Sequence, residues 1–184
     1  PHPSQETFHR LADSIIIHGD AIQNIALAPE NVIRYIHPVE GNEAALGLDY
    51  TANEAQWPAV ERIMKTGETV VAGPVDLVQG GSGFIARTPI FLEAGQSKRE
   101  KHYWGLASVV IDQARLFAAA GLDRSHPEIR VAIRGTDGRG ALGEVFWGEP
   151  AVFNQSPVLL DVSLPDGSWQ IAAIPLVGWQ QSSP

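Results

Sequence analysis

The 184 residues are enough to enclose a core, as one large domain or two small ones. At 44% hydrophobic and 18% charged the chain is globular rather than disordered. Its 13 Lys plus Arg against 21 Asp plus Glu leave a net charge of −8, which argues against nucleic acid, whose phosphates demand clustered cations. Without cysteine there is no disulfide, thiolate metal site or cysteine nucleophile.

No run of 18 apolar residues is present, so no segment reads as a membrane-spanning helix. There is no signal peptide, and the chain opens on Pro1 rather than Met, so it reads as a piece of a longer protein.

Thr7 to Ile17 places Phe8, Leu11, Ala12, Ile15 and Ile16 at helical spacing and predicts an amphipathic helix stopped by Gly19. Ile22 to Ala28 and Val32 to His37 are rich in Ile and Val and predict a β-hairpin. The Ala28-Pro29-Glu30-Asn31 corner joins them, with the proline in the first central position of the turn. Pro38 and Gly41-Asn42 then lead to Asp49, an acidic side chain in an apolar segment. Burying it without a partner would be costly.

Thr51-Ala52-Asn53-Glu54 matches a capping box, although Pro58 conflicts with an unbroken helix from Ala52 and suits a start at Pro58. Trp57, Val60, Ile63 and Met64 share a face of that helix, and Gly67 ends it. Thr69 to Gln79 is extended and broken at Gly73-Pro74. Gly80 to Gly83 turns into a strand from Phe84 to Leu92, with an edge or bulge expected at Pro89. The charge run Ser97 to Lys101 reads as a solvated hairpin loop.

Tyr103 to Ile111 predicts a long buried strand, and Asp112 caps a helix reaching Gly121. Beyond Glu128, short strands at Ile129–Arg134, Glu144–Trp147, Val158–Leu164 and Ser168–Ile174 are separated by strong turns. The strands follow one another too closely for parallel crossovers, so the expected fold class is antiparallel α+β.

Several motifs fail on their context. Gly81 to Ala86 fits G-x-G-x-x-A, but β-formers follow where the dinucleotide pattern needs a helix. Asp137-Gly138 with Glu144 lacks the preceding carboxylates of a calcium loop. Asn154-Gln155-Ser156 is a formal glycosylation acceptor followed by Pro157. The six histidines (2, 9, 18, 37, 102 and 126) form no metal-binding pair, and no G-x-S-x-G elbow is present. Neither a metal nor a cofactor is expected. A carboxylate pair of Asp49 with Asp76 is open to a test by geometry.

What remains is a pocket-type set: Asp49, Trp57 on the helix, and Leu77, Gln79, Phe84, Arg87, Tyr103, Gly105 and Ala107 on the predicted sheet. An equally simple role for Asp49 is to cap the following helix or to pair with Arg87.

Four blocks in order resemble the CHASE domain, an extracytoplasmic sensory module of transmembrane receptors. They are Ile36-His37-Pro38 with Gly41 to Asp49; Val71 to Gln79 after Lys65-Thr66-Gly67; Gly83 to Phe91; and Gly105 to Asp112. Together they cover roughly residues 20 to 121. The resemblance implies the end of a stalk helix over residues 1–20 and a membrane-distal PAS-like ligand-binding subdomain over 21–121. A membrane-proximal PAS-like β-rich subdomain follows over 122–184.

It also implies a periplasmic or extracellular location, a small-molecule ligand and a homodimer through the stalk. The chain itself is expected to lack catalysis; output would come from an intracellular histidine kinase, diguanylate cyclase or phosphodiesterase. In plant cytokinin receptors, members of the family, an aspartate matching Asp49 hydrogen-bonds the purine-like ring. Arg87 stands about where those receptors have a threonine, and would suit a ligand with a carboxylate or other acceptor, or neutralise Asp49 when empty. A ligand-free interaction module and a periplasmic enzyme are the other readings of the residues.

Overall fold

The computed structural model describes residues 2–17, 19–77, 80–93, 101–122 and 128–179. Helix α1 (Gln5–Ile16) is started by Ser4, whose hydroxyl accepts from the Thr7 N–H at 3.1 Å. A five-stranded antiparallel sheet follows, formed by β1 (Ile22–Pro29), β2 (Tyr35–His37), β3 (Val70–Asp76), β4 (Ser82–Glu93) and β5 (Lys101–Asp112), in the order β2-β1-β5-β4-β3. Between β2 and β3 lie two short 3₁₀ turns and helix α2 (Trp57–Thr66). Helix α3 (Gln113–Ala119) leads to a second antiparallel sheet of β6 (Ile129–Arg134), β7 (Val145–Trp147), β8 (Val158–Leu164) and β9 (Gly167–Pro175), ordered β7-β6-β9-β8.

Alternation along the strands gives each face of the first sheet its own cover. Ile25 and Tyr35 meet Phe8 and Ala12 of α1, with Leu27 and Val109 beside them. On the opposite face Ala26, Ala28 and Leu106 meet Val60 and Ile63 of α2. The second sheet joins the first through an aromatic cluster: Phe84 packs against Trp169 with ring centroids 4.6 Å apart and against Phe146 at 5.6 Å. Phe117 of α3 and Ile133 of β6 close that cluster. Two polar ties add to it: Arg62 of α2 pairs with Asp166 at 2.8 Å, and the Gly73 N–H donates to Asp137 Oδ1 at 2.8 Å.

The antiparallel α+β class is thus observed, and local details differ in instructive ways. At the hairpin corner the expected bond forms, from the Asn31 N–H to the Ala28 carbonyl at 3.2 Å, and a second turn overlaps it one residue later. Glu30 and Asn31 are its central pair, at φ 54° and 68°, and the Val32 N–H donates to the Pro29 carbonyl at 3.0 Å. Two left-handed residues match the twist of adjacent strands, so Pro29 precedes the central pair of this second turn. The Thr51–Glu54 capping box does not form; α2 begins at Trp57 with Pro58 in its first turn, and Gly67 ends it at φ 73°.

Pro89 sits inside β4 opposite Leu106, beyond the last β3 pairing at Val70–Arg87, so β3 no longer flanks it there. Asp112 caps α3 through the Arg115 N–H at 2.8 Å. Most of the charge run lies outside the described residues.

Candidate functional site

Register decides which side chains share a surface, because a one-residue slip sends them to the other side. Ala26, Ser108, Arg87 and Val70 form one row across β1, β5, β4 and β3. Asn24, Val110, Ile85 and Ala72 form the next. Both rows lie on the α2 side. Between them and the cover made by residues 42–59 are two adjoining hollows that share Gln56 and Ile85.

The first hollow is walled by Asn24, Ser108, Tyr50, Leu77 and Asp76 among others, and leaves only about 30 Å³ open to the centre of a water molecule. That is room for one or two waters. The second lies under α2, between Gln56, Arg62, Val70, Arg87 and Asp137, and leaves about 320 Å³. That volume lies at the lower end of the range of small-molecule sites.

Arg87 dominates the second hollow. It is 1% exposed, and among the described residues no carboxylate pairs with it. One terminal nitrogen donates to Gln56 Oε1, its Nε–H has no partner among the described residues, and the guanidinium lies 5.2 Å from the centre of the Tyr50 ring. Burial pulls its pKa below the ordinary value, against the opposing pull of the Tyr50 phenol. A buried cation faced by an amide oxygen and by the ring and hydroxyl of Tyr50, with no carboxylate, is incompletely compensated. An anionic group entering the hollow would complete it through paired N–H···O bonds.

The other expected residues distribute as follows. Leu77 lines the first hollow, and Trp57 packs at the start of α2 against the core beneath it. Asp49 lines neither hollow: its Oδ1 accepts from the Thr51 N–H at 2.8 Å and hydroxyl at 2.6 Å, capping the turn Tyr50–Ala52. Those two bonds hold its carboxyl below the usual range. Phe84 is on the opposite face, within the aromatic cluster. Ala107 also points away, in a row with Leu27 and Thr88.

Tyr103 donates to Asn31 Oδ1 at 2.7 Å and packs on Phe91; burial pushes its phenol up to about 12. Gly105 is required by close strand approach, since a Cβ there would stand 2.2 Å from the Ala28 carbonyl oxygen. Gln79 lies outside the described residues.

Asn24, Tyr50, Gln56, Ile85 and Ser108 were not foreseen as lining residues. Once Arg87 faces the hollow, alternation on β4 and pairing to β5 bring in Ile85 and Ser108. Asn24 is buried and donates to Asn42 Oδ1 at 2.7 Å, while Asn42 donates to the Pro38 carbonyl at 3.0 Å, so the loop after β2 is pinned over the sheet. Asp49 and Asp76 form no catalytic pair, since Asp49 is spent on Thr51. Of the histidines, His37 is bound to Asp13 at 2.6 Å and its ring lies 5.1 Å from that of His9. Among the described residues no group of three potential ligands can hold a metal ion.

The model of the CHASE domain matches residues 29–146, well over half the chain and the whole hollow-bearing sheet beyond β1. This chain belongs to the CHASE family. CHASE domains are extracytoplasmic sensory domains, and the residues that match include Tyr50, Gln56, Arg87 and Asp137.

A search of curated proteins finds no match to this sequence. Among solved structures, an extracellular ligand-binding receptor from Desulfohalobium retbaense superposes with a TM-score of 0.65 at 12% identity, over 90% of this CHASE domain and 32% of the receptor chain. The chain therefore spans about a third of that receptor. The ligand-binding domain of the amino-acid chemoreceptor PctC of Pseudomonas aeruginosa, in complex with GABA, gives 0.56 at 11% identity, over 94% and 82% of the two chains. Methyl-accepting chemotaxis protein X gives 0.56 at 13%, over 94% and 82%. At such identities the likeness is one of fold.

Proposed function

We propose that this CHASE domain senses a small molecule bearing a carboxylate or similar anionic group, held in the hollow between α2 and the first sheet with Arg87 as its anchor. The observation that carries this reading is Arg87 itself: a buried guanidinium that finds, among the described residues, no partner for its Nε–H and no carboxylate, beside a hollow. The domain performs no chemistry of its own. It passes occupancy to an output domain inside the cell, a histidine kinase or a diguanylate cyclase or phosphodiesterase. A ligand does so only by binding one arrangement of the domain more tightly than the other.

Residues 1–20 act as the lower end of a stalk, 21–121 as the membrane-distal unit and 122–184 as the membrane-proximal one. Dimerisation through α1 is favoured by Leu11 and Ile15, 57% and 50% exposed beside the buried Phe8 and Ala12.

The test is a thermal-shift and calorimetric screen of small carboxylates on the wild-type domain and on Arg87→Met. Carboxylates that stabilise the wild type and leave the variant unmoved support the reading. Binding that survives the substitution unchanged overturns it.

A further inference from the structure

The charges around the second hollow say more about its occupant. Three ionised side chains line it, Arg62, Arg87 and Asp137. Arg62 is already neutralised: its Nη2 lies 2.9 Å from Oδ1 and 2.8 Å from Oδ2 of Asp166, in the turn between β8 and β9. Among the described residues that leaves a buried cation without a carboxylate, Arg87 on β4, and an exposed carboxylate at the rim, Asp137. The latter comes from the turn Thr136–Gly138 after β6, on the other sheet.

Asp137 is held in position by its backbone and by one bond. It sits in the left-handed region at φ 57°, which aspartate and asparagine tolerate better than most residues. Its Oδ1 accepts from the Gly73 N–H at the bulge of β3, which turns the carboxylate toward the hollow and uses one of its two oxygens.

Resting on the anion-anchoring role of Arg87, we propose that the ligand is a zwitterion, an amino acid whose carboxylate meets Arg87 and whose ammonium meets Asp137. A plain carboxylate would satisfy Arg87 and leave Asp137 unmatched. A dicarboxylate would set a second negative charge against Asp137, an unfavourable pairing that discriminates against it. A zwitterion neutralises both walls and bridges the first sheet to the second. Occupancy is then felt by both units at once.

The experiment is titration calorimetry of the whole domain with L-alanine, β-alanine, 4-aminobutyrate and 5-aminovalerate, against butyrate, valerate and glutarate, repeated on Asp137→Asn and Arg87→Met. Asparagine keeps the acceptor for the Gly73 N–H and the left-handed backbone, so Asp137→Asn should fold with an unchanged melting temperature. At least one amino acid should bind tenfold or more tightly than the carboxylate of equal length, and Asp137→Asn should erase that advantage.

The proposal is overturned if no amino acid binds, if valerate or glutarate binds as tightly as the amino acids, or if Asp137→Asn leaves the preference intact. Carboxylate binding that needs Arg87 without any preference for an ammonium would retain the anion site and remove the zwitterion. Binding untouched by Arg87→Met would remove both.

Discussion

Replacing Arg87 by methionine should stabilise the empty domain. The guanidinium is 1% exposed, so it has lost essentially all its hydration. In return it has one bond to Gln56 Oε1 and the ring and hydroxyl of Tyr50. A hydrogen bond from a charged group contributes about 1.5–3 kcal/mol, and a cation–π contact about 0.5–2 kcal/mol. Against these stand a desolvation penalty of several kcal/mol and an unpartnered buried Nε–H, about 1–3 kcal/mol more.

Methionine fills a similar volume without either cost, so the net gain should be about 1–3 kcal/mol. For a chain of this size that is a rise in Tm of roughly 2–12 °C. Urea unfolding of both proteins without added ligand measures it, with m-values compared to confirm that the same surface unfolds. A loss of about 2 kcal/mol or more in Arg87→Met would mean that the guanidinium already has its full complement of partners, and the case for a reserved anion site would fail.

Asp49→Ala should weaken the domain slightly without altering binding at the second hollow. Because its carboxyl is held below the ordinary 3.8, the stability it supplies is complete above that pH and is lost as pH falls through the lowered value. Acid unfolding of the variant should therefore lack that part of the wild-type slope. Tyr103 behaves oppositely: with a folded-state value of about 12 against an ordinary 10.0, its contribution is complete below pH 10 and disappears as pH rises through 12. Tyr103→Phe should flatten this alkaline limb, and ultraviolet titration of the wild type should show one phenol ionising late. Phe84→Ala should cost about 3–5 kcal/mol in chemical denaturation, as expected for a fully buried aromatic, even if ligand affinity is retained by the folded fraction.

Local order was well encoded in this chain. Gly67 and Asp112 mark helix boundaries through interactions that span three or four residues, so they could be read directly. The face of each strand could not. The first sheet is covered by α1 on one side and α2 on the other, so β4 and β5 carry apolar residues on both faces and their alternation is masked. Arg87 stands out in these strands and lines a hollow, whereas Phe84 and Ala107, of the other parity, face away from it.

Asp49 was drawn toward the ligand by its apolar neighbours, yet a hydroxyl two residues away was the nearer partner. Gln56 and Asp137 carried no signal, because their importance comes from contacts made 31 and 64 residues away along the chain, with Arg87 and Gly73.

On β4 the floor of the hollow and the keystone of the aromatic junction are consecutive residues, Ile85 and Phe84. Along a strand they are about 3.4 Å apart and point in opposite directions. The backbone that carries them is therefore a lever with almost no length, and a shift of the floor is a shift of the keystone. No chain of intermediaries is needed for a message to cross the sheet. What limits it is the grip of Trp169, Phe146 and Phe117 on a fully enclosed ring. Such a ring cannot slide by degrees and must settle into one packing or another, so the response of the far sheet should be stepped rather than graded.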